Sequence, residues 1–319
     1  LRSIKISKYR RNSMRSKMLV PSKELVEAAK AGGYAVGAFN AVNMETAQAI
    51  FAAAEKEKSP LIIQVTQTTM AYTEPEELAA VILTLAERAT IPVALHLDHG
   101  RSFSVVMRFL RMGFTSVMID GSLQEDGKTP RTYEENVAVT RKVLEAAHGI
   151  GVTVEAEIGR LGQIGEDAGT ALTDPEEAVK FVKDIAVDGK SVDMLAVAIG
   201  TRHGLFKGKP IIRSDRVKEL SEKLDMPLVM HGGTGVPDED VQKAVAAGMC
   251  KVNIDTQIRV AFYEALREEV QKKDKEDAAA DAAGNPRKYD IRKIIGPTRD
   301  AMTEAIAGKM RLFGSAGKA

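Results

Sequence analysis

The sequence has a single cysteine, Cys250, in 319 residues. No intramolecular disulfide can form, and thiolate clusters drop out as metal sites; the expectation is a reducing, cytoplasmic setting. There is no surplus of either charge. The 45 basic and 44 acidic side chains leave a formal net charge of +1, so no global field draws the chain to nucleic acid or a membrane surface. No window approaches the ~18–20 apolar residues of a membrane span, and the chain reads as soluble. The glycine-rich first turn of a dinucleotide-binding open sheet is missing as well. What remains is a 44% hydrophobic chain, long enough for one large α/β domain with a sizeable core.

Residues 1–17 are basic and serine-containing, without an acidic residue or the apolar stretch of a secretory signal. They read as a disordered leader, with an organellar transit peptide as the alternative. From residue 18 onward, short β-branched runs alternate with longer helical patterns. After an opening helix from Pro21, strands are expected over 34–39, 61–65, 93–97, 116–119, 152–158, 194–199, 228–230 and 251–254. The helices between and after them are expected over 43–54, 75–88, 102–112, 133–148, 175–185, 214–224, 237–247 and 257–271. Strands separated by helices need crossover connections and so pair in parallel. Eight such units in about 250 residues predict a closed (β/α)₈ barrel over 18–319, with an extra N-terminal helix and a C-terminal helical extension. The charged, alanine-rich stretch 272–285 is expected to be a flexible connection, and 297–313 a final helix.

In such a barrel the carboxyl ends of the strands share one rim, where active sites are built. Thr66, Asp98, His99, Asp120, Glu155, Glu157, His203, His231, Asn253 and Asp255 all fall at strand ends. Three of the 5 histidines follow strands three, six and seven, and three neutral imidazoles with an open position describe a catalytic zinc site. Asp120 and Glu157 are candidates for a second metal position or for orienting the imidazoles. His96 reads as a supporting group, and His148, near a helix C-terminus, as structural. The turns His231-Gly232-Gly233-Thr234-Gly235 and Asn253-Ile254-Asp255-Thr256 follow strands seven and eight, the usual phosphate cradle of this architecture. A metal beside a phosphate site and a carboxylate fits Lewis-acid chemistry on a hydroxy-ketone. Spacing alone does not choose this over hydrolysis.

Several ordered motifs carry a resemblance: Val36-Gly37-Ala38-Phe39-Asn40, His96-Leu97-Asp98-His99-Gly100 and Gly113-Phe114-Thr115-Ser116-Val117-Met118-Ile119-Asp120. They continue through Val154-Glu155-Ala156-Glu157-Ile158-Gly159, Ala198-Ile199-Gly200-Thr201-Arg202-His203-Gly204, the His231 turn and Val252-Asn253-Ile254-Asp255-Thr256. Together they resemble the class II, zinc-dependent ketose-bisphosphate aldolases. The resemblance implies reversible cleavage of fructose 1,6-bisphosphate to dihydroxyacetone phosphate and glyceraldehyde 3-phosphate through a metal-stabilised enediolate. Tagatose 1,6-bisphosphate is the alternative substrate. It implies Asp98 as proton donor, His99, His203 and His231 as zinc ligands, and Asp120 and Glu157 at a second position for a divalent or monovalent cation. Dihydroxyacetone phosphate would be held by Gly204, by Gly232, Gly233 and Thr234, and by Asn253, Ile254, Asp255 and Thr256. Thr66 would contact the aldehyde product, Arg287 the distal phosphate, and Glu166 would exchange the substrate proton. A homodimer or homotetramer is also implied.

The chain departs from the family's pattern after Asp120-Gly121-Ser122. Leu123 stands where the family commonly has a histidine, and an insertion runs through Arg131. Two rival enzymes are disfavoured. A metal-dependent hydrolase on this barrel would need a histidine pair on strand one, near Phe39. A Schiff-base aldolase would need a lysine at a strand's carboxyl end, whereas Lys251 is expected at the start of its strand, on the opposite rim.

Overall fold

The computed structural model describes residues 18–159, 172–204 and 210–319; the leader lies outside them. The chain opens with α1 (Ser22–Gly32), then alternates β1 (Val36–Asn40), α2 (Met44–Glu57), β2 (Leu61–Thr66), α3 (Pro75–Ala86), β3 (Val93–Gly100) and α4 (Phe103–Arg111). It continues with β4 (Ser116–Ile119), α5 (Tyr133–His148), β5 (Thr153–Ile158), α6 (Pro175–Asp184), β6 (Met194–Val197) and α7 (Ser214–Lys223). The last elements are β7 (Leu228–Met230), α8 (Asp238–Ala246), β8 (Met249–Ile254), α9 (Thr256–Ala282) and α10 (Arg292–Phe313). All neighbouring strands pair in parallel in the order β1 to β8, and β8 returns to β1 through Val36↔Lys251 to Phe39↔Ile254, closing the barrel.

Both faces of every strand are covered, which is why the runs read as apolar without a polar side. Alternation along each strand divides the side chains between two layers. On β3, Val93, Leu95 and Leu97 join the core between sheet and helices, while Ala94 belongs to a smaller cluster inside the barrel. That inner cluster is completed at the amino-terminal end by Leu25, Val26 and Ala29 of α1, which plug the floor. Helix starts follow local chemistry. Asn43 caps α2 by accepting from the Thr46 amide at 3.0 Å, and Thr132 and Glu135 form a reciprocal capping box on α5.

Two irregularities in the sheet change which way side chains point. Between β3 and β4 the register passes from Leu97↔Val117 to Gly100↔Ile119, so β3 carries one extra residue there. His99 takes φ +50 within it. Between β7 and β8 the register passes from Leu228↔Met249 to Val229↔Lys251, leaving Cys250 as the extra residue. Each is a β-bulge, which resets the alternation of side chains beyond it.

Two expectations need correction. Lys251 is not at the opposite rim: it is the third residue of β8, fully buried, with Nζ 2.8 Å from Glu155 Oε2. Strand β8 begins at Met249, two residues earlier than expected, so Lys251 lies within the sheet rather than at its edge. The stretch from 272 is not a loose connection either, because α9 continues to Ala282. Alanine and charged residues with high helix propensity sustain it, helped by the i,i+4 pair Lys273–Asp277. Likewise α10 starts at Arg292, ahead of Pro297, which sits near its beginning. Among the described residues no helix is long and apolar enough to cross a membrane.

Candidate active site

A cavity of about 320 Å³ opens at the carboxyl end of the strands. It is lined by Asn40, Thr66, Thr68, Asp98, His99, Arg101, Asp120, Ser122, Leu123, Glu157, His203, Gly204, Gly232, Thr234, Asn253, Asp255, Thr256 and Arg259. In a regular strand Asp98 and His99 would face opposite sides. The bulge in β3 and the left-handed backbone of His99 bring both to the cavity. A β-branched or bulky residue in that conformation is disfavoured by about 1–3 kcal/mol, the kind of strain that surrounding structure must over-determine.

Possible ligand atoms of His99, His203 and His231 all lie within 4.8 Å of one another. His99 Nδ1 donates to Asp120 Oδ2 at 3.1 Å, and His231 Nε2 donates to Glu155 Oε1 at 2.7 Å. Those bonds leave His99 Nε2 and His231 Nδ1 facing each other at 3.0 Å. With their outer N–H groups held by carboxylates, both rings turn their other nitrogen to one place, where a cation would displace the proton that His99 otherwise carries. That arrangement suits a cation, and it is how imidazole ligands are usually oriented. A second group of ligand atoms, from His99, Asp120 and Glu157, meets the same 4.8 Å limit. Glu157 Oε2 is buried there without a hydrogen-bond partner among the described residues. The residues therefore fit a metal at the three imidazoles and have an acceptor in hand for a second cation.

Charges in the site are strongly coupled. Burial opposes protonation of His99, but Asp98 and Asp120 outweigh it and raise its imidazole to about 10. Burial, and then the charge of His99, pushes the His203 imidazole down to about 4. Burial and the negative Asp120 push the Glu157 carboxyl well above its ordinary range. Asp98 goes the other way: burial opposes ionisation, but His99, His231 and Lys251 hold the carboxyl below its ordinary range. Its two oxygens accept from Asn40 Nδ2 at 3.0 Å and Asn253 Nδ2 at 3.2 Å. Gln64 Nε2 in turn donates to Asn40 Oδ1 at 2.6 Å, fixing which way that amide points.

Beneath the imidazoles lies a buried polar layer. Glu155 bridges His231 and Lys251, and His96 Nε2 is 3.5 Å from Glu155 Oε2. The other ring nitrogen of His96 is 2.7 Å from Ser116 Oγ. His148 is remote from the cavity, with Nε2 donating to Asp193 Oδ2 at 2.9 Å.

On the opposite wall the turns after β7 and β8 present Gly232, Thr234, Asn253, Asp255 and Thr256 to the cavity. Gly232 has φ +66, and a Cβ there would lie 2.3 Å from the Arg202 carbonyl oxygen, so only glycine permits the close approach. Gly233 and Ile254 do not line the cavity; Gly233 N donates to Asn253 O at 3.2 Å, tying the two turns together. Arg287 does not line it either, and its guanidinium pairs with Asp281. Glu166 lies outside the described residues. Asn40, Thr68, Arg101, Ser122, Leu123 and Arg259 line the cavity without having been singled out as site residues. A polar residue ending β1 was a signal for Asn40. Arg259 lies in the first turn of α9, and the others follow strand ends, where periodicity carries no information.

Residues 20–318 match the family model described as fructose-bisphosphate aldolase class-II. A fructose-bisphosphate aldolase of Thermus caldophilus is 41% identical, covering 95% of this chain and 100% of that protein. One from Geobacillus stearothermophilus is 42% identical, covering 94% and 99%. A sulfofructosephosphate aldolase of Alkalicoccus urumqiensis is 39% identical, covering 94% and 98%. The crystal structure of the YdjI aldolase from Escherichia coli K12 superposes with a TM-score of 0.80 at 30% identity, covering 95% of this chain and 100% of that one. With its eight-stranded barrel, its converging imidazoles and this match along nearly the whole chain, the protein belongs to the class-II fructose-bisphosphate aldolase family.

Proposed function

We propose that the site cleaves fructose 1,6-bisphosphate reversibly to dihydroxyacetone phosphate and glyceraldehyde 3-phosphate, with zinc held by His99, His203 and His231. The observation that carries this reading is the convergence of three imidazoles, from β3 and from the segments after β6 and β7, beside an ionised Asp98. When bound, the ion would supply a Lewis acid that draws charge from the ketose carbonyl. Asp98 then takes the proton from the hydroxyl next to the bond that breaks, and returns it in the condensation direction. Asn40 and Asn253 donate to both its oxygens, which aims the carboxylate and keeps it ionised until substrate arrives. Backbone N–H groups of the turns after β7 and β8, at the start of α9, hold the phosphate of the dihydroxyacetone half. Thr66, level with Asp98 in the sheet, faces the half that leaves as aldehyde. Glu166 is assigned the exchange of the substrate's carbon-bound proton, and Asp120 with Glu157 the second cation position.

The same residues serve tagatose 1,6-bisphosphate, which differs only in configuration at the carbon bearing the reacting hydroxyl. Cytoplasmic residence and assembly as a homodimer or homotetramer belong to the same reading. Cleavage of both bisphosphates, with and without a chelator, tests it. Chelator-sensitive cleavage is expected, with fructose bisphosphate preferred. Chelator-resistant turnover that borohydride and substrate abolish would refute the zinc chemistry. His203→Ala should lose bound metal and activity together, and full activity in that variant would refute the ligand set.

A further inference from the structure

We propose that Arg131 is a positioning residue for the metal centre: its guanidinium staples the segment after β3 to the segment after β4, and so holds the Asp120 carboxylate on His99. The inference rests on the zinc reading above and adds what keeps that ligand in place before any ion arrives. Arg131 closes the 123–131 insertion, one residue ahead of the Thr132 cap of α5. Its Nη2 donates to the Arg101 carbonyl at 2.8 Å, and its Nη1 to the carbonyls of Asp120, at 3.3 Å, and Leu123. One planar, five-donor group thus serves three backbone acceptors from two loops, which the compact charge of a lysine does not reproduce.

The staple spans the place where the sheet stops holding these two strands together. At the carboxyl end of the β3–β4 ladder the Asp120 amide donates to the Gly100 carbonyl at 2.8 Å. Beyond that bond the segments part. The Arg101 amide turns to Gln67 Oε1 at 2.8 Å, and the Ser122 amide to Asp120 Oδ1 at 3.2 Å. Just before it lies the bulge, with His99 at φ +50. A bulge disrupts the ladder around it, and a left-handed residue other than glycine costs about 1–3 kcal/mol, persisting only where its surroundings over-determine it. The ladder bond on one side and the guanidinium on the other supply that constraint. Between the two anchored backbones stands the functional bond, His99 Nδ1 to Asp120 Oδ2 at 3.1 Å, which leaves Nε2 facing the His231 ring.

The insertion is folded so as to deliver this side chain. Leu123 pairs antiparallel with Pro130, the Gln124 amide donates to the Thr129 carbonyl at 2.7 Å, and the Arg131 amide to the Ser122 carbonyl at 2.9 Å. The chain therefore leaves after Asp120 and returns beside it, bringing a side chain 11 positions later onto the carbonyl it serves. At the tip, a Cβ on Gly127 would lie 2.5 Å from Arg101 Nη1, so the turn is seated against the residue that follows β3. The departure from the family pattern at Leu123 thus has a structural result: a short hairpin that ends in a brace for the metal-orienting pair.

The test measures zinc affinity by chelator competition in Arg131→Gln, Asp120→Ala and the double variant, at a temperature where circular dichroism shows each to be folded. Arg131→Gln should raise the zinc Kd about tenfold, the lower end of what losing an orienting partner costs a metal site, and Asp120→Ala should raise it further. Because Arg131 acts through Asp120, the double variant should bind zinc no worse than Asp120→Ala alone. Additive losses overturn the proposal, as does a Kd for Arg131→Gln within about twofold of the wild type. Asp126→Ala loosens the tip of the turn and leaves the staple, so it should keep the wild-type Kd. A loss there equal to that of Arg131→Gln would mean that the order of the whole insertion matters and not the guanidinium, and would overturn the proposal too. A metal-free readout stands apart from the zinc reading. In the enzyme stripped of metal, hydrogen exchange at the Asp120 amide should quicken about tenfold in Arg131→Gln, while the amides of β7 keep their protection. Unchanged exchange at Asp120 refutes the staple. A wild type that binds no zinc would bring down the ligand assignment itself, with the exchange measurement still deciding whether Arg131 holds the two segments.

Discussion

Asp98 and His99 are adjacent in sequence yet both reach the cavity and meet different partners, and the bulge in β3 is what permits this. Asp98 touches two asparagine amides and is not among the three imidazole ligands. Asp98→Ala is therefore expected to keep its bound metal and to lose turnover by roughly 10²–10⁴-fold, the usual worth of a positioned acid–base group. Metal analysis beside steady-state rates separates the two, and loss of metal would mean that Asp98 is a ligand. Lys251 makes a different prediction. It and Glu155 are both fully buried and paired, so Lys251→Met leaves a carboxylate without its counter-charge. A loss of about 3–5 kcal/mol of stability is expected in denaturant unfolding; a loss below about 1 kcal/mol would show that the pair is not formed. Which histidines converge was legible in the sequence, because each ends an apolar run and precedes glycine. That Lys251 lies beneath them was not, because β8 starts at Met249, ahead of the run that marks it in the sequence.

At the scale of elements, strands and helices followed from periodicity almost everywhere, since strands covered on both faces and helices with one apolar stripe are the signals that sequence carries best. The 123–131 insertion was visible only as a departure. Its polar residues have no period, and its order comes from side-chain bonds to specific backbone groups. Asp126 is the knot of that turn, accepting from the amides of Lys128 and Thr129 at 2.8 and 2.9 Å and from the Thr129 hydroxyl at 2.6 Å. The Thr129 hydroxyl, followed by the two amides, lowers its carboxyl from 3.8 to about 2. A folded-state value below the unfolded one means that the turn is favoured above pH 3.8 and loses that support as pH falls through about 2. An NMR titration of Asp126 should show a midpoint near 2, whereas an unshifted midpoint would mean that the turn is open in solution. The continuous α9 was missed for another reason: alanine and paired charges look like a linker unless their spacing is read as helical.

At the scale of the molecule, metal and fold should stabilise each other. A ligand that binds only the closed barrel adds RT ln(1 + [L]/Kd) to stability, so chelation should lower the thermal midpoint and zinc should restore it; a midpoint indifferent to both would separate the site from the fold. The closure of β1 on β8 also bears on folding. Val36 pairs with Lys251, so the seam joins residues separated by most of the chain, a contact that costs loop entropy and forms late. The wall opposite β3 is held in place by β7 and β8, next to that seam. His99 meets His231 only when the two ends of the sheet have found each other. Refolding in the presence of cobalt(II) should therefore develop its visible absorption band with the last kinetic phase, after helical circular dichroism is regained. In a chain without tryptophan, the metal becomes the clock that reports when the ring is shut.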